Sequence, residues 1–172
     1  MSFQTPFIVD NLFTDDEIYE WLTFIQKIEK KDIRPFTNSQ FKNGKVWHPE
    51  WSQLMFNRLA PHIPEQYRHS VAPYIMFSHI RSGEHFGIHT DTGCVYDIEK
   101  KEISKFTVLI YLNDTYEGGT TQFYTDDFIP TEEIIPKRGR TLVFDIDLFH
   151  KGNEVLSGDK YWVGTELVSK II

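Results

Sequence analysis

From residue 71 onward the chain is a succession of short β-branched and aromatic runs broken by glycine turns. That pattern fits stacked antiparallel strands and leaves little room for long helices. Phe106-Thr-Val-Leu-Ile-Tyr-Leu-Asn-Asp114 is an apolar strand run. Tyr116-Glu-Gly-Gly-Thr-Thr-Gln-Phe123 follows, and its Gly118-Gly119 pair marks a hairpin or bulge. Pro136-Lys-Arg-Gly139 makes a second turn, leading into a strand expected to run from Thr141 to His150. Val155-Leu-Ser-Gly158-Asp-Lys160 then turns the chain into a final strand over Tyr161-Trp-Val-Gly-Thr-Glu-Leu-Val168.

The first 70 residues read differently. Thr14-Asp-Asp-Glu17 has the form of a capping box, and Ile18, Trp21, Leu22, Ile25 and Ile28 recur at helical spacing behind it. Pro49 opens a second helix with Trp51, Leu54, Met55 and Leu59 as its apolar stripe, and Pro61 and Pro64 end it. Segment 31–48, which mixes Arg34, Phe36, Phe41 and Trp47 with polar residues, reads as a short hairpin or loop. It is equally a candidate substrate lid and an ordinary surface meander.

At 172 residues, 40% of them hydrophobic, the chain suits one domain, with helical support over about 1–70 and a strand core over about 71–170. No apolar run reaches the ~20 residues that span a bilayer, so no membrane partner is expected. The opening Met-Ser-Phe-Gln-Thr-Pro lacks the pattern of a signal peptide. With Cys94 alone, no internal disulfide can form, and a cytoplasmic location is the expectation. Cys94 itself reads as a small buried apolar residue. A net charge of −7 with scattered basic residues argues against nucleic acid as a partner.

Threaded through the strands is a polar pattern with chemical content: His89-Thr-Asp91, then His150, then Lys160 ten positions on. Residues at i and i+2 of a strand face one side, so a single short strand would aim His89 and Asp91 at one ion. Two imidazoles and one carboxylate on one face of a ferrous ion leave the opposite positions open. Taken singly, each residue has an ordinary reading: a surface pair for His89 and Asp91, a strand-end histidine for His150, a solvated charge for Lys160. His48, His62 and His69 read as surface or capping residues, and His85 as a loop residue near the substrate.

The order His-x-Asp, Tyr-Leu-Asn, Gly-Gly-x-Thr-x-Phe, Pro-x-x-Gly, and His followed ten positions later by a basic residue resembles the iron(II)/2-oxoglutarate dioxygenases, within them the prolyl 4-hydroxylase-like branch. The match covers about residues 72–170. The resemblance implies a mainly β fold, a double-stranded β-helix or jelly roll flanked by the N-terminal helices. It implies Fe(II) on His89, Asp91 and His150, with 2-oxoglutarate and O2 as cosubstrates and ascorbate as a candidate reductant. Lys160 would bind the distal carboxylate of 2-oxoglutarate, with Tyr111 and Thr121 as further cosubstrate contacts and His85, Phe86 and Trp162 as substrate contacts. Tyr111 can also be read as a core tyrosine with its hydroxyl at the rim.

One departure stands out. Members of the branch carry a tyrosine nine or ten residues before the first ligand, where this chain has His79-Ile80-Arg-Ser-Gly83. The implied activity is hydroxylation of an unactivated C–H bond, with a peptidyl proline as substrate; a free amino acid or another small molecule is the alternative. Outside that class stand a zinc or manganese enzyme on a similar barrel and a non-catalytic ligand-binding jelly roll.

Overall fold

A computed structural model describes residues 4–28, 41–93 and 95–171. Its first half contains β1 (Phe7–Val9), α1 (Asp15–Lys27), β2 (Lys42–Trp47), α2 (Pro49–Leu59), β3 (Ser70–Val71), β4 (Tyr74–Arg81) and β5 (Phe86–His89). Next come β6 (Tyr96–Asp97), β7 (Glu102–Tyr111), β8 (Glu117–Gly118), β9 (Thr121–Tyr124) and β10 (Pro130–Ile134). The last elements are β11 (Thr141–Asp145), β12 (His150–Gly152), β13 (Val155–Ser157) and β14 (Asp159–Lys170). The major sheet runs β1-β11-β7-β14-β4-β2, with β3 on β14 and β6 on β7. A four-stranded sheet runs β10-β9-β12-β5, and β8 pairs with β13. All pairings are antiparallel, and the fold is the expected jelly roll.

Strand alternation splits the core in two. From β7, Phe106, Val108 and Ile110 pack with Trp21, Ile25, Met55 and Leu59 of the helices. The intervening Leu109 and Tyr111 pack with Phe123, Leu142 and Phe144 between the sheets. Because β7 is covered on both faces, its sequence shows a continuous apolar run where a half-exposed strand would alternate. Both helices start where expected. Thr14 and Glu17 form the reciprocal capping box of α1, and His48 Nδ1 accepts the Trp51 N–H at the start of α2.

Three expectations change. The strand expected from Thr141 to His150 breaks after Asp145, where Leu148 N–H donates to the Asp145 carbonyl and Asp147 N–H to its carboxylate. This turn carries the chain across to the smaller sheet, so His150 opens β12. Gly118-Gly119 closes no hairpin between neighbouring strands: with φ of +74° and +63°, it passes the chain from β8 into β9, which sit in different sheets. Within the helical front half, part of segment 31–48 is strand β2, on the edge of the major sheet. Residues 31–40, the rest of the candidate lid, lie outside the described residues, as does Cys94.

Candidate active site

His89 ends β5 and His150 opens β12, and the two are direct partners across the ladder. Their ring centroids are 4.2 Å apart. Each ring is aimed by the carbonyl two residues earlier: Nδ1 of His89 donates to Gly87 O at 2.7 Å, and Nδ1 of His150 to Leu148 O at 2.9 Å. A carbonyl only accepts, so Nδ1 carries the proton and each Nε2 is left as a lone-pair donor for a metal. Both Nε2 atoms face Asp91 Oδ1, at 3.6 and 3.8 Å. That spacing is too long for hydrogen bonds and leaves room for an ion.

Asp91 lies just past the end of β5, so one strand does not carry both residues as expected. Its position is set instead by its N–H, which donates to Ile146 O at 2.9 Å. The Thr107 hydroxyl donates to Asp91 Oδ2 from the facing sheet. Burial pushes the Asp91 carboxyl upward, but the two adjoining imidazoles of His89 and His150 and the Thr107 hydroxyl together hold it below the usual carboxylate range. Burial lowers the His150 imidazole. A deprotonated acid beside a neutral ring is what a metal needs. One ligand atom from each of the three residues lies within 4.8 Å of the others, so the donor set fits a divalent iron with open positions.

These ligands line a cavity of about 360 Å³. Lys160 lies at one end, 2% exposed, donating from Nζ to Gly119 O at 2.6 Å and standing 5.4 Å from the centre of the Tyr111 ring. Desolvation pushes its amine down to about 7. Thr121, Phe86 and Trp162 also line the cavity. Phe86 lies against His89, with ring centroids 4.0 Å apart. Tyr111 is fully buried, its hydroxyl 2.7 Å from Thr121 Oγ1, and is not among the lining residues. His85 sits exposed in the loop before β5. Of the two residues at the tyrosine position, Ile80 faces the cavity, while His79 stacks on Tyr161 and bonds Asp159.

Three polar residues escaped the sequence reading. Lys45 of β2 and Glu166 of β14 line the cavity. Tyr116 places a buried hydroxyl with no hydrogen-bond partner among the described residues, and Gly119 lets its ring and the Lys160 stem approach. Glu166 left a readable signal. It is an acid inside an apolar strand run, an even number of residues from Lys160 and hence on the same face.

The family model described as 2OG-Fe(II) oxygenase superfamily matches residues 75–165, more than half the chain. A search of the curated proteins finds no match. Among solved structures, a Pseudomonas putida prolyl-4-hydroxylase superposes with a TM-score of 0.70 at 12% identity, covering 96% of this chain and 93% of its own. A viral collagen prolyl hydroxylase from Paramecium Bursaria Chlorella virus-1, in complex with 2OG, gives 0.66 at 15% identity, with coverages of 98% and 97%. A Trichoplax adhaerens prolyl hydroxylase, in complex with a hypoxia inducible factor oxygen degradation domain peptide fragment, gives 0.65 at 15% identity, with coverages of 94% and 82%. With His89, Asp91 and His150 gathered on the wall of one cavity and the family model matched across them, the chain belongs to the 2OG-Fe(II) oxygenase superfamily.

Proposed function

We propose that the protein is a hydroxylase in which His89, Asp91 and His150 hold Fe(II) and Lys160 binds the distal carboxylate of 2-oxoglutarate. The observation that carries this reading is the pairing, in one cavity, of a two-imidazole, one-carboxylate triad with a buried lysine. Iron with its cosubstrate and O2 supplies the oxidising power that hydroxylates an unactivated C–H bond. The chain's own residues do the positioning. The Gly87 and Leu148 carbonyls fix the rings, Thr107 fixes the carboxylate, and Lys160 gives a charge-assisted hydrogen bond in a dry wall. Thr121 adds a hydroxyl at the same end, backed by Tyr111, while Phe86 and Trp162 keep water from the reacting bond.

For the substrate, fold likeness to prolyl hydroxylases, one of them in complex with a peptide fragment, supports a peptidyl proline. A free amino acid or another small molecule is the second reading, which a cavity of about 360 Å³ with polar side chains in its wall also suits. The test is succinate formation from 2-oxoglutarate with Fe(II) and ascorbate under air, given proline-containing peptides or free amino acids. Stimulated turnover by the wild type that disappears in His89→Ala and Lys160→Ala supports the reading. Wild-type protein that binds neither Fe(II) nor 2-oxoglutarate refutes it.

A further inference from the structure

The inner face of the major sheet continues past the cavity into an exposed aromatic corner. On β2, Lys45 lines the cavity and Val46 packs toward the helices, so Trp47 lies on the cavity face, two residues beyond Lys45. On β4 the same alternation sets Tyr74 two residues from the cavity-lining Met76, with Ile75 on the helix side. Trp47 and Tyr74 are cross-strand partners whose ring centroids stand 5.2 Å apart, with their planes at 90°. Of the four tryptophans only Trp47 is exposed, at 62%, and its indole makes no hydrogen bond among the described residues. Lys45 Nζ stands 5.7 Å from the centre of the Tyr74 ring, a contact that steadies that wall of the corner.

A single exposed aromatic is ordinary, but a perpendicular pair on the same face as a reaction cavity is a place for a bound chain to rest. The ring faces offer apolar surface, and an indole N–H and a phenol O–H come with them. A proline-bearing chain in the polyproline II form suits both features. Its rings are held in place before binding, and its carbonyls have no internal partner. The corner also lies within reach of the triad. The Tyr74 carbonyl accepts the Thr165 hydroxyl at 2.9 Å, and Thr165 adjoins Glu166, the cross-strand partner of the Thr107 that holds Asp91. Trp47 and Thr107 thus stand at one level of the major sheet, separated by the steps β2-β4-β14-β7. At about 4.8 Å per step the distance is ~14 Å, which polyproline II at about 3.1 Å per residue spans in about four or five residues.

We propose that the Trp47–Tyr74 corner is a second docking point for the substrate chain, taking a proline about four or five residues from the one presented to the triad. The preferred substrate is then an extended peptide with two prolines at that spacing. The proposal rests on the peptidyl-proline reading above and adds to it a specificity-determining surface outside the cavity.

The test is fluorescence anisotropy of labelled peptides binding to the protein loaded with Mn(II) and N-oxalylglycine, an unreactive stand-in for the cosubstrate. The probes are alanine- and serine-based peptides that carry one proline, or two prolines separated by about two to eight residues in either direction. Affinity should peak at a separation of about four or five residues, at least about tenfold above the one-proline peptide. Trp47→Ala and Tyr74→Ala should each bring the two-proline peptides down to the one-proline level, and Trp47→Phe should keep part of the gain. Leucine in place of the second proline should lose most of it. A rise in unfolding temperature with N-oxalylglycine, retained in each variant, reports an intact fold. Affinity that ignores the spacing, a peak that survives Trp47→Ala, or an equal peak with leucine each overturn the proposal. If one-proline peptides bind and a second proline adds nothing, this inference alone falls. If N-oxalylglycine stabilises the wild type and no peptide binds, the peptidyl-proline reading falls with it. If N-oxalylglycine has no effect, the oxygenase reading falls as well.

Discussion

Thr107, on the major sheet, donates its hydroxyl to Oδ2 of Asp91, beyond the end of β5 on the smaller one, so the carboxylate of the triad is braced from across the jelly roll. The bond leaves Oδ1 to face the two histidine Nε2 atoms. Thr107→Val keeps the shape and removes the donor, freeing the carboxylate to rotate. Metal affinity should fall roughly 10–100-fold, the usual consequence of losing a partner that orients a ligand, and Thr107→Ser should keep most of it. Anaerobic Fe(II) titration of both variants checks this; equal affinity in Thr107→Val would show that the brace is idle.

The same pair shows what the sequence could and could not reveal. His89, Asp91 and His150 were legible because spacing and strand runs survive in a linear string, and both helices were legible because caps and periodicity are local. The partners that hold the ligands were not. Nothing in the linear string ties Thr107 to Asp91, and the backbone carbonyl that meets Asp91 belongs to Ile146, in a turn read as strand. Crossing between sheets is a tertiary event, decided by a few bonds around Asp145 that propensity does not see. Tyr111 was placed by position along the chain, whereas its depth in the core depends on how far the sheets approach.

Gly164 is a glycine whose necessity no turn signal announces. It sits mid-strand in β14, and a Cβ there would lie 2.0 Å from the Val108 carbonyl oxygen of β7. The obstructing atoms are backbone of β7, which cannot give way without opening the ladder. Gly164→Ala should cost about 3 kcal/mol or more, in the range of severe core disruptions. At Gly87 a Cβ meets nothing within 4 Å, and alanine there should cost under about 1 kcal/mol. Urea unfolding of the two variants separates them.

The capping box of α1 reaches beyond its own helix. Glu17 closes the box on Thr14 N–H and also pairs with Arg58 of α2 at 2.8 Å, while Arg58 donates to Leu12 O. Thr14→Ala should cost about 1 kcal/mol, the typical value of a lost N-cap. Glu17→Ala should cost more than Thr14→Ala, because it also strands Arg58. The double variant should cost less than the sum, since both single changes dismantle one box. Chemical denaturation of the three variants measures the coupling; strict additivity would refute it.

Lys160 gives the site a pH dependence whose sign is fixed by burial. Its amine is pushed down to about 7 from an ordinary value of 10.5, so between those two pH values the folded chain holds fewer protons than the unfolded one. Stability of the protein without cosubstrate should therefore rise with pH across that window, with the penalty for burying the ammonium complete below about 7. Lys160→Met should abolish that rise and stabilise the protein at pH 7 by about 1 kcal/mol or more, as replacing buried charges by apolar groups often does. Cosubstrate binding runs the other way, since a dicarboxylate needs the ammonium. Above pH 7 each bound molecule should take up close to one proton, and affinity should fall about tenfold per pH unit. Calorimetric titration of N-oxalylglycine into Mn(II)-loaded protein from pH 6 to 9, in buffers of different ionisation heat, reads both the slope and the proton uptake. A flat profile with no proton uptake would mean that Lys160 keeps its charge without a ligand, and that its burial costs the fold far less than argued here.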